Sequence, residues 1–441
     1  MIEIFSITCQ LLVFLIIFSF PFNTDNLNNV LNLKKNTLNN LDAHSLNIIF
    51  FIYLCLIFSF LNFDIKLIFR VYLFISFIYL IINFKKYRTS FNINNPKLIQ
   101  FIVFCAIIFS LFIYFAQNLK LEWDGHHWLE KVLIFYNGNT IDNLKEVSVH
   151  PEYPHLGSYI WAFFWKNSIL ELEYFGRFFY VYFYITSIFL ILNMLKFKQE
   201  NIKILLVLFF ILITFDSYLF GGYQEYLIFS ALIISSRFIF LINFESSKNT
   251  RLILLSILTL FTITWFKDEG IIYFLIFSLL LIFFQNTNNF KKMNYFFLVF
   301  GLIILQYILQ KYLVGIYDFP QKNNLTNIIS DIMNFEILFT KLFKIFIFII
   351  IAFIKYPLWL IVLLSIFLKF LFSSIKDSRI NYLLICLFLN LGFIFAAFFS
   401  FVGFDFMLRV SLDRLLFQTS GFYLIITLIL INNFLDSRRL S

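Results

Sequence analysis

Charged side chains are scarce in this 441-residue sequence, where Asp, Glu, Lys and Arg together make up 13% and hydrophobic residues 61%. The mean hydropathy is +0.87. So few polar side chains cannot cover the surface of soluble domains of this length, which excludes a water-soluble globular protein. Apolar runs of about 16 to 22 residues recur along the chain. Such runs predict helices crossing a bilayer core of roughly 30 Å, because in lipid the backbone must satisfy its own hydrogen bonds.

Cysteine, glycine and proline are also rare. The four cysteines, Cys9, Cys55, Cys105 and Cys386, lie singly in apolar runs, and their spacing suits neither a disulfide framework nor a metal site. With 12 Gly, 6 Pro and no internal repeat, the sequence gives little support to a transporter built from repeated, broken helices. It also lacks the glycine-rich loop that binds nucleotide phosphates.

The net charge of +9 comes from basic residues scattered among short connections. A nucleic-acid-binding protein would carry them as a patch or stripe. We therefore expect anionic membrane lipid, and no nucleic acid, as the partner of these residues.

The hydropathy pattern predicts an all-α polytopic membrane protein of about 13 transmembrane helices plus interfacial helices. The first run lacks the basic start and the cleavage site of a signal peptide, so it is interpreted as a retained span. The predicted spans are 4–22, 46–62, 66–84, 98–117, 174–195, 204–219, 226–243, 252–266, 270–285, 294–313, 356–373, 380–400 and 415–433.

The distribution of Lys and Arg predicts the orientation. The strongest basic cluster, Lys85, Lys86, Arg88 and Lys97, contains no acidic residue and is therefore placed on the cytoplasmic side of an inner membrane. The later basic clusters fall on the same side if two segments do not cross, and both are interpreted as interfacial or re-entrant helices. These segments are 155–166 and 336–354. The periplasmic face then collects the connections 118–154, 220–225, 265–270, 314–335 and 401–414.

The first large outer loop, 118–154, holds most of the histidines. Asp124 precedes an amphipathic stretch that ends at Gly138, which predicts a helix with an acidic N-cap and a glycine stop. Trp128 and Lys131 share a helical face with Asp124 and predict a carboxylate at the mouth of a cavity. The alternatives are that Asp124 only caps the helix and that the Trp residues only mark the membrane interface.

Histidines and acids of this loop are also of the types that bind metals: Asp124, His126, His127, His150, Glu152 and His155. Adjacent histidines on a helix diverge by about 100°, and no ligand pair at i and i+4 is present. We therefore predict no metal ligands and no cofactor, and leave a divalent metal open.

Two short connections on the same predicted face carry ionisable residues. Glu225 follows a Gly-Gly-Tyr-Gln sequence, and Lys267, Asp268 and Glu269 stand between two spans. Ionisable groups near hydrocarbon usually face a cavity or a partner. The pattern predicts a shared pocket, the alternative being a tight turn wetted by lipid headgroups.

The last connection contains Asp405, Arg409, Asp413 and Arg414. The four-residue steps predict ion pairs along one helix. Arg409 or Arg414 could equally bind a phosphate through two parallel hydrogen bonds.

Taken in order, these motifs resemble the GT-C superfamily of membrane glycosyltransferases, in the branch related to protein mannosyltransferases and aminoarabinose transferases. The resemblance covers about residues 98–433 and leaves the three spans of residues 1–97 unexplained, so the sequence is divided into 1–97 and a GT-C-like region 98–441. The motifs are Trp123-Asp124 with Trp128 and Lys131, Tyr153-Pro154, Gly222-Tyr223 with Glu225, Lys267 with Glu269-Gly270, and Arg414-Leu415-Leu416.

The resemblance implies a polyprenyl-phosphate sugar donor and an inverting transfer to an acceptor hydroxyl on the periplasmic face. It makes Asp124 the expected general base, with Glu152 or Glu122 as substitutes, because many members carry two adjacent acids where this chain has Asp124 and Gly125. Lys267 and either Arg409 or Arg414 are expected to bind the phosphate. The other expected substrate-binding residues are Trp128, Lys131, His150, Tyr153, His155, Glu225 and Glu269.

Two other function classes stay open on the sequence. A lipid-linked sugar flippase or transporter would place charges near mid-membrane on broken helices. A surface-polysaccharide polymerase or ligase would concentrate basic residues and histidines in a large late outer loop, whereas here the early loop holds them.

Overall fold

The computed structural model describes residues 2–34, 37–84, 96–117, 120–121, 123–148, 150–197, 199–246, 249–313, 333–371, 377–400 and 404–440. Several residues used in the sequence predictions lie outside these ranges. They are Lys85, Lys86 and Arg88 of the basic cluster, Glu122, and most of the connection 314–335.

All elements of the described residues are helical, as the apolar composition requires. The α-helices, numbered in chain order, are α1 (Ile2–Ile17), α2 (Thr24–Val30), α3 (Asn40–Leu61), α4 (Ile65–Ile82), α5 (Pro96–Gln117), α6 (Trp123–Tyr136), α7 (Leu156–Lys166), α8 (Tyr174–Leu192), α9 (Glu200–Thr214), α10 (Glu225–Leu241), α11 (Thr250–Phe261), α12 (Glu269–Phe284), α13 (Asn289–Ile308), α14 (Phe335–Lys355), α15 (Pro357–Leu371), α16 (Ser378–Ser400) and α17 (Phe404–Leu440).

Seven of the described helices are long and apolar enough to cross a membrane, judged by length and composition. Each predicted span overlaps a helix, but several of these helices are shorter than a full crossing, so the number 13 stays a prediction. The chain is an all-helical polytopic membrane protein. The seven segments are Asn40–Leu61, Ile65–Ile82, Tyr174–Ile191, Asn289–Lys311, Phe335–Lys355, Ser378–Phe399 and Phe404–Asp436.

The connections sort into two ends of the helix bundle, as the alternation of charge predicted. At one end, which we call the α6 end, the outer loop meets the starts of α10 and α12. At the opposite end, the amide N–H of Asn286 donates to the carbonyl of Phe244 at 3.0 Å, and that of Lys196 donates to Oδ1 of Asn432 at 3.0 Å. The basic connections of this second end are therefore neighbours in the fold.

Segment 155–166, predicted to be an interfacial or re-entrant helix, is buried inside the protein. It forms α7, which at 11 residues is too short to cross, and its residues 156–164 are all buried. The helix lies in the protein core, because α3, α6 and α8 pack around it. Its length agrees with the expectation that it does not span, and its place relative to the lipid interface stays a prediction.

Segment 336–354 forms α14, which is long enough to span by itself. Its contacts show that α14 and α15 follow α17 in the same direction. Lys344 of α14 lies 2.9 Å from Asp405 near the start of α17, and Ser365 of α15 lies 2.9 Å from Thr427 much further along. The two helices thus run one after the other toward the opposite end, and α14 does not reverse the order of the later connections.

The helices of residues 1–97 belong to the same core as the rest of the chain. The hydroxyl of Ser59 in α3 lies 2.9 Å from Nε2 of His155, and the ring of Phe14 in α1 meets that of Phe164 edge-on at 4.8 Å. The three N-terminal spans therefore support the elements that carry the outer loop.

Candidate functional site

Four segments that are distant in the sequence bring charged side chains together at the α6 end. The guanidinium of Arg414 in α17 is ion-paired with the carboxylate of Asp124 in α6, and its Nη1 lies 3.4 Å from Oε1 of Glu225 in α10. Nζ of Lys267, just before α12, lies 2.9 Å from the same Oε1 and 3.7 Å from Oε1 of Glu269. We call these five residues the charge cluster.

The side chains of the charge cluster fall into a buried group and a partly exposed group. The side chains of Glu225 and Lys267 are 3% and 8% exposed, whereas those of Asp124 and Glu269 are 31% and 27% exposed. Arg414, at 12%, joins the buried part to Asp124. Asp124 and Glu269 are thus the two carboxylates of the cluster that solvent reaches.

The charges of the cluster hold each other in the ionised form. Burial alone would raise the pKa of Asp124, but the nearby cations Arg414 and Lys267 outweigh it and lower that pKa. Burial alone would lower the pKa of Lys267, but the carboxylates of Glu225 and Glu269 raise it above its usual value. Asp124 is therefore a carboxylate, and Lys267 an ammonium, at neutral pH.

Helix α6 presents Asp124 differently from the prediction. The helix begins at Trp123, so Asp124 lies in its first turn and is not the N-cap. Its carboxylate instead reaches Arg414. The predicted stop is confirmed: Gly138 has φ of +84°, and the N–H of Asn139 donates to the carbonyl of Ile134 at 3.0 Å.

Gly125 lets α6 approach the turn that precedes α10. A Cβ atom at this position would lie 2.1 Å from the carbonyl oxygen of Gly221, closer than any real contact. Any side chain at this position would therefore push α6 away from the turn that leads to Glu225.

A buried arginine fixes the turn that leads to Glu225. Arg177 in α8 donates to both carboxylate oxygens of Glu173, at 2.7 and 2.6 Å, and also to the carbonyl of Phe220. The guanidinium lies 5.4 Å from the ring centre of Trp161. Gly222 follows with φ of +75°, where a Cβ would collide with that same ring. Contacts with Arg177 and Trp161 thus fix the conformation of the turn.

Lys131 is held in the interior of the outer loop. Its side chain is buried, and its ammonium donates to the carbonyl of Tyr153 at 2.7 Å and to that of Pro151 at 3.4 Å. Nζ also lies 5.4 Å from the ring centre of Trp128, which stacks on Tyr153 at 6.0 Å. In this structure Lys131 and Trp128 organise the loop, and the predicted contact of either with substrate finds no support in their burial.

The other predicted loop residues form a stack beside Lys131. The imidazole of His150 lies flat on the ring of Tyr153, with centres 4.5 Å apart, and its Nδ1 lies 3.0 Å from Oε1 of Glu152. Burial would raise the pKa of Glu152, but this hydrogen bond, a backbone hydrogen bond and the charges of His150 and Lys131 together lower the pKa. All three side chains are partly exposed and remain available to a substrate.

His155 does not face a cavity. It is fully buried, its Nε2 lies 2.9 Å from the hydroxyl of Ser59, and the rings of Phe60 and Phe135 pack against it. Burial lowers its pKa to about 3, so it is neutral. Substrate contact by His155 stays a prediction, and its burial in this structure does not favour it.

Asp268 lies between the charge cluster and Lys131. Burial and the neighbouring charge of Glu269 raise its pKa to about 7. Burial likewise lowers the pKa of Lys131 to about 7, in spite of the carboxylates of Asp268 and Glu152. The two groups therefore change charge in the same pH range.

The predicted ion pairs along the start of α17 are replaced by pairs between helices. Asp405 lies 2.9 Å from Lys344, and Asp413 pairs with Lys355. Arg409, one of the two expected phosphate ligands, is exposed on the same helix. The structure places Arg414, and not Arg409, in the charge cluster.

A small pocket of about 10 Å³ adjoins Arg414. Its lining consists of two acidic side chains, five aromatic rings and the arginine. They are Asp216, Tyr218, Tyr223, Glu225, Tyr226, Tyr356, Arg414 and Phe417. Asp216 was missed because the predicted span 204–219 includes it, whereas α9 ends at Thr214. The sequence signal for Asp216 was a single acidic residue near the end of an apolar run. Arg177, a single basic residue inside an apolar run, was a signal of the same kind.

The candidate metal ligands do not assemble. Among the residues that the structure describes, no three His, Cys, Asp or Glu side chains lie close enough to hold a metal ion. His127 and His150 approach with ring centres 6.4 Å apart, and His155 is turned into the core.

Comparison with known proteins adds no relative. No protein-family model, no curated protein and no solved structure matches this chain.

Proposed function

We propose that this protein is a membrane glycosyltransferase that moves a sugar from a polyprenyl-phosphate donor to an acceptor hydroxyl. One observation supports the proposal above others, namely that Asp124, Glu225, Lys267 and Arg414 converge from four separate segments at one end of an apolar bundle. Such a transfer requires a carboxylate to take a proton and cations to stabilise a departing phosphate. The charge cluster supplies both within a few ångströms.

In this proposal Arg414 changes partner when the donor arrives. A phosphate competes with Asp124 and Glu225 for the guanidinium, because Arg binds phosphate and carboxylate through the same paired geometry. As Arg414 turns to the phosphate, the carboxylate of Asp124 is released to face the acceptor. The donor thereby activates the base.

The reaction then runs as a single displacement with inversion, as the resemblance implies. The acceptor oxygen forms a bond to the anomeric carbon while the bond from that carbon to the phosphate oxygen breaks. The hydroxyl proton passes to Asp124, and the electron pair leaves with polyprenyl phosphate. Arg414 and Lys267 lower the pKa of Asp124 and keep it ionised, and the move of Arg414 to the phosphate removes part of this lowering, so the carboxylate becomes a stronger base.

Lys267 has a supporting role in this scheme. Glu225 and Glu269 hold its ammonium 2.9 and 3.7 Å away, and its side chain is nearly buried. Lys267 therefore stays paired with the two carboxylates and does not bind the phosphate directly. Its positive charge adds to that of Arg414. Glu225 acts as the fixed point that positions both cations.

The proposed setting is an inner membrane with the charge cluster on the periplasmic face. The argument is the excess of Lys and Arg in the connections of the opposite end, since cytoplasmic loops carry this excess. A lipid-linked donor suits the site because the charge cluster lies at one end of a bundle of apolar, membrane-crossing helices.

The proposal is tested with membranes that contain or lack the protein, supplied with lipid-linked sugars and a broad mixture of acceptors. We expect release of polyprenyl phosphate only where the protein is present. Intact donors, with sugar-lipid accumulating on the opposite leaflet, would instead establish a flippase.

A further inference from the structure

A lysine outside the charge cluster lies beside Arg414. Lys355, the last residue of α14, is ion-paired with Asp413, the residue before Arg414 in α17. The ammonium of Lys355 also lies 5.4 Å from the ring centre of Tyr356, and Tyr356 lines the small pocket together with Arg414. Lys355 and Arg414 therefore border the same site, although they come from different helices.

Lys355 differs from Lys267 in its access. The side chain of Lys267 is 8% exposed and is held by two carboxylates, whereas that of Lys355 is 48% exposed and is ion-paired with Asp413. An exposed ion pair is weak, because it gains little in polar surroundings. A phosphate can therefore displace Asp413 from Lys355 without opening the protein core.

Lys355 is also on the lipid-facing side of the site. Helix α14 is the least buried of the seven candidate spans, and Ile351 and Ile354, just before Lys355, are exposed apolar side chains. Such side chains face the acyl chains in a membrane, and a lysine at the end of the helix extends its ammonium to the headgroup level. A ligand that approaches from the bilayer therefore reaches Lys355 before Arg414, whose side chain is largely buried.

The depth of the ion pair agrees with this placement. Asn432 of α17 accepts a hydrogen bond from the backbone N–H of Lys196 at the opposite end of the bundle, at 3.0 Å. The helix between Asn432 and Arg414 is about 27 Å long at the usual rise per residue. The hydrocarbon core of a bilayer is about 30 Å thick. One crossing thus separates the two residues, which places Arg414 and Asp413 near the level of lipid phosphates.

The proposed reaction requires positive charge at the phosphate. A phosphate diester carries a single negative charge, and the polyprenyl phosphate that leaves carries about 1.5 to 2 at neutral pH. Cations placed where this charge develops stabilise the transition state. Within the charge cluster Arg414 turns to the phosphate, but Lys267 stays with Glu225 and Glu269. A second cation in direct contact with the phosphate must come from outside the cluster.

We propose that Lys355 binds the phosphate of the polyprenyl donor as it arrives from the lipid, and then holds it together with Arg414. The inference rests on the proposed function. The phosphate takes the place of Asp413 on Lys355, as it takes the place of Asp124 on Arg414. Asp413 keeps the ammonium in position before the donor arrives and competes with the phosphate for it.

The test uses the full-length protein, purified in detergent, and two soluble ligands, farnesyl phosphate and farnesol. Affinity is measured by ligand-dependent shifts of the unfolding temperature. We expect farnesyl phosphate to bind about tenfold or more tightly than farnesol, because charge-assisted hydrogen bonds hold its phosphate. Lys355→Met should weaken the binding of farnesyl phosphate about tenfold and leave that of farnesol unchanged.

The partner of Lys355 gives a prediction of opposite sign. Asp413→Asn removes the competing carboxylate and should tighten the binding of farnesyl phosphate about two- to fivefold. An ion pair that only joins α14 to α17 would respond alike to the loss of either member. Lys344→Met is the matched control, since Lys344 is an exposed lysine of the same helix that pairs with Asp405 of α17 at 2.9 Å. This control should bind both ligands like the unchanged protein.

The outcomes separate the two proposals. Equal weakening by Lys355→Met and Asp413→Asn, or affinity in Lys355→Met equal to that in Lys344→Met, overturns the role of Lys355 and leaves the glycosyltransferase proposal standing. If Lys355→Met does not fold, Asp413→Asn decides alone, and binding that is not tightened overturns the inference. If the unchanged protein does not prefer farnesyl phosphate to farnesol, the proposed function fails together with the inference.

Discussion

Arg414 and Asp124 form an ion pair across 290 residues of sequence, and this contact joins the last helix to the first large outer loop. The same guanidinium lies 3.4 Å from Glu225, so a single cation is shared by an accessible carboxylate and a buried one. The arrangement suits a site in which an incoming phosphate displaces the accessible partner and leaves the buried one in place.

Removing the two carboxylates should have unequal effects on stability. Glu225→Ala leaves Lys267 buried without its nearer partner, and breaking a buried pair in this way costs about 3–5 kcal/mol. Asp124→Ala should cost much less, about 1 kcal/mol, because Asp124 is nearly one-third exposed and Arg414 keeps Glu225. Denaturant unfolding in detergent measures both values. Equal losses would show that Glu225 is not the fixed point of the cluster.

Gly125→Ala should destabilise the protein and reduce activity, because its Cβ would lie 2.1 Å from the carbonyl oxygen of Gly221. Overpacking of this kind typically costs about 1–3 kcal/mol. Gly301→Ala in α13 is the matched control, since no atom lies within 4 Å of its added Cβ. The two unfolding temperatures decide the matter, and an unchanged value for Gly125→Ala would contradict the close approach of α6 to the turn.

The pair Lys131 and Asp268 should give the folded protein a stability minimum near pH 7. Asp268 has a folded pKa of about 7 against an ordinary 3.8, so the folded state holds an extra proton between these values and loses stability as pH rises through them. Lys131 has a folded pKa of about 7 against 10.5, so the unfolded state holds the extra proton there and stability recovers as pH rises from 7 to 10.5.

Unfolding temperatures between pH 4 and 10.5 test this coupling by their slopes. Asp268→Asn should flatten the fall between pH 4 and 7, and Lys131→Met should flatten the recovery above pH 7. Lys131→Met also leaves the carbonyls of Pro151 and Tyr153 without their donor, which lowers the whole curve without creating a slope. Slopes identical to those of the unchanged protein in both variants would refute the assignment.

Arg177→Lys should impair catalysis although Arg177 touches no substrate in this account. A lysine cannot hold both oxygens of Glu173 and the carbonyl of Phe220 in one planar arrangement, so the turn before Glu225 loosens. We expect kcat to fall about tenfold or more with a smaller change in KM, whereas a purely structural role would lower the amount of folded protein at unchanged kcat. Kinetics normalised to folded protein distinguish the two.

Much of the fold follows from the sequence because lipid leaves the backbone few choices. Apolar length predicted where helices lie, and the alternation of basic connections predicted which connections become neighbours. The sequence could not predict that α7 is buried, because an apolar segment of 11 residues suits a lipid interface and a protein interior equally well. The contacts of α14 with α17 were equally hidden, since Asp405 pairs with a residue of a different helix.

The site was predictable in its members more than in its geometry. Ionisable residues beside apolar runs singled out Asp124, Glu225, Lys267 and Arg414, because such residues seldom occur there without a partner. Either Arg409 or Arg414 could have joined the charge cluster. The choice depends on the rotation of α17 about its axis, and the spacing of apolar residues does not fix that rotation at a helix end. The burial of His155 depends on α3, whose Ser59 is 96 residues away.

The central claim is that Asp124 takes a proton from an acceptor while Arg414 receives the phosphate of a lipid-linked donor. The most direct measurement compares the purified protein with its Asp124→Asn variant, recording both the binding of polyprenyl phosphate and its rate of release from a sugar donor. We expect the variant to bind polyprenyl phosphate at least as well and to release it about 10²- to 10⁴-fold more slowly, the range for loss of a general base. An undiminished rate of release by the variant would contradict it.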